Sequence, residues 1–172
     1  MDLKALVRDV PDFPKPGIVF KDITPVLADG VALRWVVDRF AERYRGRVDA
    51  VVGIESRGFV VGAPVAYALG VGLALVRKRG KLPYQHHSVD YELEYGSDVL
   101  EMHVDALAPK QRVVVVDDLL ATGGTAKAAV DLVAKLGARV VECGFIIELA
   151  FLDGRRRLAP LPIHALASYA AE

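Results

Sequence analysis

The chain has 172 residues, 53% of them hydrophobic, with 22 basic and 22 acidic residues. That length and apolar content suit one domain with its own core, and zero formal net charge excludes a general polyanion binder that works by neutralising many phosphates. Its single cysteine, Cys143, excludes an internal disulfide framework and a cysteine-built zinc site. Beside Val140, Val141 and Phe145 it reads as a buried thiol in a reducing compartment. The stretch Met1 to Arg8 has too little apolar length for a signal peptide, and no segment is long and uncharged enough to span a bilayer, so a cytoplasmic location is the expectation.

A short leading helix is expected first, followed by the proline-rich run from Pro11 to Pro25. Prolines at 11, 14, 16 and 25 restrict the backbone and forbid a long helix there. Such a rigid extended segment can offer a carbonyl and an amide to a ligand, with Phe20 as a stacking face, or it can be a structural arm with Phe20 in the core. A helix over Val31–Tyr44, a strand over Val48–Ile54, a helix over Phe59–Leu69 and a strand over Leu73–Val76 come next. A long polar excursion from Lys78 to Asp98 leads to a strand over Leu100–Val104. The spacing then predicts a strand over Val113–Val116, a helix over Lys127–Leu136, a strand within Arg139–Phe151 and a short one at Ile163–Leu166. This alternation predicts an α/β fold, a mainly parallel open sheet flanked by helices, with residues 1–172 as a single domain.

The most informative stretch is Val113-Val114-Val115-Val116-Asp117-Asp118-Leu119-Leu120-Ala121-Thr122-Gly123-Gly124-Thr125. A β-branched run suits a strand buried on both faces, and the turn after it lies at the carboxyl edge where open α/β sheets bind ligands. Glycines, helix-start amides and the hydroxyls of Thr122 and Thr125 suit a phosphate monoester. Two carboxylates beside a phosphate would repel it, so Asp117 and Asp118 face neutral hydroxyls or hydrated magnesium further along the same ligand. A phosphorylated sugar satisfies both requirements. Glu55-Ser56-Arg57-Gly58 forms a second turn at that edge; Phe59 and Val60 stand where an ATPase P-loop needs Lys and Ser/Thr. Arg77-Lys78-Arg79-Gly80-Lys81 ends the next strand with four cations, either a solvated run or part of the site. The adjacent His86 and His87 point apart on a strand, with no third ligand nearby, which argues against a metal site.

The Asp-Asp-Leu-Leu-Ala-Thr-Gly-Gly-Thr string resembles the phosphoribosyl pyrophosphate signature of the type I phosphoribosyltransferases, and its wording is similar to the adenine-specific members. The likeness covers nearly the whole chain. It implies conversion of adenine and phosphoribosyl pyrophosphate to AMP and pyrophosphate, with magnesium (Mg2+) bound mainly through phosphoribosyl pyrophosphate and no set of protein metal ligands. It also implies a homodimer, a hood over residues 11–25 and a flexible lid over residues 81–98. By resemblance, Asp117 and Asp118 hold the ribose hydroxyls and stabilise cationic C1, while Ala121, Thr122, Gly123, Gly124 and Thr125 bind the 5-phosphate. Glu55, Ser56, Arg57 and Lys78 belong to the pyrophosphate site, with Arg77 and Lys81 reaching a neighbouring subunit's site. In Tyr91-Glu92-Leu93-Glu94-Tyr95-Gly96, Glu94 is implied as the catalytic acid/base and Tyr95 as a cover. Adenine is placed against Val19, Phe20 and Lys21, with Leu149 on its other face and Glu148 nearby. Tyr84-Gln85-His86-His87 departs from the small or polar residues usual at the lid tip. Transferases for xanthine, hypoxanthine or orotate, and a non-catalytic regulator of the same fold, are the alternatives; a regulator would ordinarily add a DNA-binding segment or basic face.

Overall fold

The valine run sits at the centre of the molecule: Val113 to Val116 have no exposed surface. The computed structural model describes residues 1–93 and 96–171. Its elements, in chain order, are β1 (Arg8–Pro11), β2 (Val19–Asp22), α1 (Thr24–Ala28), α2 (Gly30–Tyr44), β3 (Ala50–Ile54), α3 (Arg57–Leu69) and β4 (Gly72–Lys78). They continue with β5 (His86–Leu93), β6 (Gly96–His103), β7 (Arg112–Leu120), α4 (Gly124–Lys135), β8 (Arg139–Leu149), a 3-10 turn (Ala150–Leu152), α5 (Gly154–Leu158) and β9 (Ile163–Tyr169).

A seven-stranded sheet runs in the order β5-β6-β4-β3-β7-β8-β9, and β1-β2 form a separate ribbon. Strands β4, β3, β7, β8 and β9 are mutually parallel, whereas β6 is antiparallel to both β4 and β5. Because successive side chains on a strand take opposite faces, the valines divide between two cores. Val113 and Val115 join Val52 and Ile54 beneath Leu132 and Val133 of α4. Val114 and Val116 join Val36 and Phe40 of α2 and Val61 and Val65 of α3. Helix α2 starts at Asp29, whose carboxylate accepts from the amides of Val31 and Ala32 at 2.8 and 3.0 Å, a standard N-cap. Among the described residues no helix is long and apolar enough to cross a membrane.

Two expectations change. The leading helix is one turn, in which the amides of Leu6 and Val7 donate to the Leu3 carbonyl, and the chain then extends into β1. So short a segment cannot repay helix nucleation, and pairing with β2 satisfies the backbone instead. The polar excursion is largely a β-hairpin, with β5 and β6 paired from His86↔His103 to Leu93↔Gly96. Val89 and Tyr91, two residues apart, pack against the core beneath α4, while Ser88 and Asp90 are exposed. The hairpin joins β4 at Arg77↔Glu101 and Lys78↔Leu100 and curls back until Lys135 of α4 donates to the Ser88 carbonyl at 3.2 Å.

Strand β8 also buries two adjacent ionisable side chains, Glu142 and Cys143. Burial pushes the Cys143 thiol up to about 12, and the side chain has no exposure. Beside it Glu142, 2% exposed, receives a two-pronged bond from Arg43 at 2.6 and 2.7 Å. Burial opposes the Glu142 charge, but the Arg43 hydrogen bonds and charge outweigh it and hold the carboxyl below its usual value. A carboxyl depressed in the folded state contributes stability above its unfolded pKa and loses that contribution as pH falls through the folded value. Removing one partner of a buried pair typically costs about 3–5 kcal/mol; because Arg43 is 38% exposed and Arg47 lies 3.9 Å from the carboxylate, we expect about 2 kcal/mol for Arg43→Ala. Denaturant titrations at pH 7 and pH 3 check this: the difference between wild type and variant should shrink at the lower pH.

Candidate active site

The carboxyl ends of β3, β4 and β7 meet around one cavity of about 540 Å³, lined by the turns after β3 and β7 and by Lys78 at the end of β4. The first turn is Glu55–Gly58, entered through a cis Glu55–Ser56 peptide. Its glycine is dictated by contact: a β-carbon at Gly58 would lie 2.8 Å from the Val116 carbonyl oxygen and 3.0 Å from Asp117 Oδ1. The start of α3 therefore abuts the end of β7, and Arg57 Nε donates to Asp118 Oδ2 at 2.5 Å.

Strand β7 continues through both acids to Leu120, further than the valine run alone suggests, with Asp117 opposite Phe145 of β8. Asp118 is buried, 6% exposed. Asp117 Oδ1 accepts from the Asp118 amide at 2.9 Å. Burial, followed by the neighbouring Asp118 charge, raises the Asp117 carboxyl well above the ordinary aspartate range. For Arg57, burial opposes the charge but the Asp118 hydrogen bond and charge prevail, so the guanidinium stays firmly protonated.

After β7 the chain turns at Ala121–Gly123, where Gly123 has φ +82°, and α4 begins at Gly124 with its first turn in the cavity wall. The positive end of a helix there suits an anion. Residues 121–125 are braced from behind: a β-carbon at Gly123 would meet the Gly154 carbonyl oxygen at 2.6 Å, and one at Gly154 would fall on the Ala121 carbonyl oxygen.

The opposite wall belongs to β4 and the hairpin. Glu55 Oε2 accepts from the Lys78 amide at 2.9 Å and from Arg77 Nε at 3.3 Å; burial pushes Glu55 up, but these donors prevail and leave it below its usual value. Lys78 Nζ lies 3.6 Å from Asp98, which also accepts from the Tyr91 hydroxyl at 3.3 Å. The Val99 amide, chiefly, holds Asp98 below its usual value. Burial raises the Tyr91 phenol, which has Thr125 and Asp117 among its neighbours.

The cavity thus brings together Glu55, Ser56, Arg57, Lys78, Asp117, Asp118 and residues 121–125. It does not include Val19, Phe20 and Lys21 on the ribbon, Glu148 and Leu149 at the end of β8, or Arg77 and Lys81. Lys21 is buried and bonded to Asp9; Glu148 is buried in a two-pronged pair with Arg155 at 2.6 and 2.9 Å. Arg77, expected to reach a neighbouring subunit, bonds Glu55 and the Lys81 carbonyl of its own chain. Glu94 and Tyr95 lie outside the described residues. His86 stands 3.4 Å from Glu101, and among the described residues no cluster of His, Cys, Asp or Glu could hold a metal. Tyr91, Asp98, Leu100 and Phe145 line the cavity without having been singled out as ligand-site residues. Tyr91 and Asp98 had a signal, since Tyr91 opens the Glu94 motif and Asp98 lies two residues past its end; Gly154 had none.

These features are those of a phosphoribosyl-transferring fold, and the family model for the phosphoribosyl transferase domain matches residues 26–161. The adenine phosphoribosyltransferase of Roseiflexus sp. (strain RS-1) is 57% identical over 98% of both chains. A crystal structure of the adenine phosphoribosyltransferase from Thermoanaerobacter pseudethanolicus is 51% identical, with a TM-score of 0.94 over 98% of both chains. That of Saccharomyces cerevisiae, complexed with an imino-altritol bisphosphate and adenine, is 40% identical with a TM-score of 0.91 over 96% of both chains. The chain belongs to the adenine phosphoribosyltransferase family.

The bracing glycine gives a test of the residues 121–125 wall. Gly154→Ala forces that wall to move, and overpacking of this kind costs about 1–3 kcal/mol. Calorimetry should find AMP bound roughly tenfold more weakly by the variant, while Gly137→Ala, strained by its positive φ but remote from the cavity, should leave AMP affinity unchanged.

Proposed function

We propose that this cavity transfers the 5-phosphoribosyl group of phosphoribosyl pyrophosphate to N9 of adenine, releasing pyrophosphate and giving AMP. The observation that carries this reading is that one cavity is lined by residues 121–125, by Asp117 and Asp118 that precede them on the chain, and by Arg57, bonded to Asp118, with Lys78. A ligand with a phosphate, then a diol, then a pyrophosphate matches that sequence of groups. Residues 121–125 hold the 5-phosphate through backbone amides and the hydroxyls of Thr122 and Thr125. Asp117 and Asp118 accept from the ribose hydroxyls.

As the bond from C1 to pyrophosphate breaks, its electron pair leaves with the pyrophosphate and C1 becomes cationic. Two preorganised carboxylates favour that charge. N9 supplies the electron pair of the new bond, and the purine proton passes to Glu94, an assignment resting on the sequence resemblance. Arg57 has a double part: pyrophosphate competes with Asp118 for the guanidinium, so binding of one end of the substrate releases the carboxylate for the ribose.

The cavity wall carries the carboxylates Glu55, Asp98, Asp117 and Asp118 against the cations Arg57 and Lys78. That balance suits a polyanion arriving with its own divalent cation, and Asp117 and Asp118 would meet hydrated magnesium through the ribose hydroxyls or water. Magnesium supplies charge neutralisation on the pyrophosphate. Adenine lies between Phe20 of the hood and Leu149, held by the backbone of Val19 and Lys21. Glu148, committed to Arg155, acts by fixing the end of β8. Residues 81–98 close over the complex, with Tyr95 as cover, excluding water from C1.

The enzyme works as a homodimer. Val60 and Tyr67 of α3 and Leu75 of β4 expose 48%, 89% and 38% of their surface, large apolar side chains that a second copy would cover. A lone buried thiol suits the reducing cytoplasm.

Incubation with adenine, phosphoribosyl pyrophosphate and magnesium should yield AMP, and parallel reactions with hypoxanthine, xanthine and orotate should yield little. Preferential turnover of another base would reassign the specificity; binding of phosphoribosyl pyrophosphate without turnover of any base would favour a regulator. Asp118→Asn should lower the single-turnover rate by roughly 10²–10³ with a much smaller change in phosphoribosyl pyrophosphate affinity, because Arg57 is freed at the same time. Glu94→Gln should lower turnover by roughly 10²–10⁴, again sparing that affinity; an unimpaired variant would remove Glu94 from the proton transfer.

A further inference from the structure

The hood ribbon has only two strands, β1 and β2, and a two-stranded ribbon is marginal by itself. Its register matters because consecutive residues on a strand take opposite faces, so a slip of one residue would turn Phe20 away from where it is needed. Lys21 fixes that register. Its side chain is 5% exposed, although it ends in an ammonium group. Nζ donates to Asp9 Oδ1, its cross-strand partner, at 2.9 Å. It also lies 4.8 Å from the centroid of the Tyr169 ring, which Lys4 Nζ approaches at 5.1 Å. A desolvated ammonium over an aromatic face is held by the ring quadrupole more strongly than one in water.

Tyr169 is the last residue of β9, and there it pairs with Leu149, the last residue of β8. One side chain therefore touches the strand carrying Val19 and Phe20, while its backbone is locked beside Leu149. On the reading given above, these are the two walls of the adenine slot. We propose that Tyr169 is a positioning residue for the base: it sets the distance and register between the hood and the end of β8, acting through Lys21, without itself touching adenine. This inference rests on the assignment of adenine to the slot between Phe20 and Leu149.

The test compares wild type with Tyr169→Phe, Tyr169→Leu and Phe20→Ala, each as the full chain, measuring KM for adenine, KM for phosphoribosyl pyrophosphate and kcat. Tyr169→Leu keeps apolar volume but loses the ring face. Its KM for adenine should rise about 5- to 30-fold, the scale of one desolvated cation–π contact, with KM for phosphoribosyl pyrophosphate within about twofold. Tyr169→Phe, which keeps the ring, should restore the adenine KM to near the wild-type value. A general loss of structure would raise both KM values together, and that outcome, or an unchanged adenine KM in Tyr169→Leu, would overturn the proposal. Phe20→Ala separates the two layers of the argument. If it raises the adenine KM while Tyr169→Leu does not, the positioning role alone is wrong; if it leaves the adenine KM unchanged, the base slot is misplaced and the positioning role falls with it.

Discussion

A β-carbon at residue 58 would sit 2.8 Å from the Val116 carbonyl oxygen, so the start of α3 can meet the end of β7 only while that residue is glycine. Real β-carbons do not approach oxygen so closely, and a larger residue would push the helix off the strand. The site depends on this contact. It places Arg57 against Asp118 and so joins two turns that are remote in sequence. Gly154 acts similarly on residues 121–125, although its contact orders the rear of the wall and not its face.

Charge is distributed within the cavity in a way that a simple count would not suggest for a site built for a polyanion. Carboxylates outnumber cations, yet most are already engaged: Glu55 with the Lys78 amide and Arg77, Asp98 with Lys78 and Tyr91, Asp118 with Arg57. These interactions hold the cations in place before any ligand arrives, which reduces the ordering cost of binding. Asp117 differs, with its charge opposed by burial and by Asp118. Asp118 is tied to Arg57, so the two acids do not face the cavity as an isolated pair.

The parallel sheet and its ligand edge were legible because β-branched runs and glycine turns act locally. Val113–Val116 and the glycine turn at residues 121–125 carry their physical reason within a few residues, whereas the demand for glycine at residue 58 comes from Val116, remote in sequence. The hairpin was less legible: Ser88, Asp90 and Glu92 alternate with Val89, Tyr91 and Leu93, but the surrounding polarity resembles a loop, and the packing partner on α4 is distant in sequence. The leading segment misled for the opposite reason, since its local pattern favoured a helix while the partner strand β2 decided the outcome. Side-chain commitments were the least legible. Nothing in the local sequence says that Glu148 belongs to Arg155 or that Arg77 bonds Glu55 in its own chain. Such pairings depend on how strands and helices pack in three dimensions.

Cys143 lies in the middle of β8 without exposed surface, its thiol held protonated by burial. Only a thiolate reacts quickly with alkylating reagents or oxidants, so the native molecule offers such chemistry almost no purchase. The same burial turns the residue into a clock. Because the side chain projects from the face of β8 into the cluster shared with Leu132 and Val133 of α4 and Leu158 of α5, the sulfur reaches solvent when that helix layer lifts from the sheet, and the rate at which it is labelled counts openings of the core.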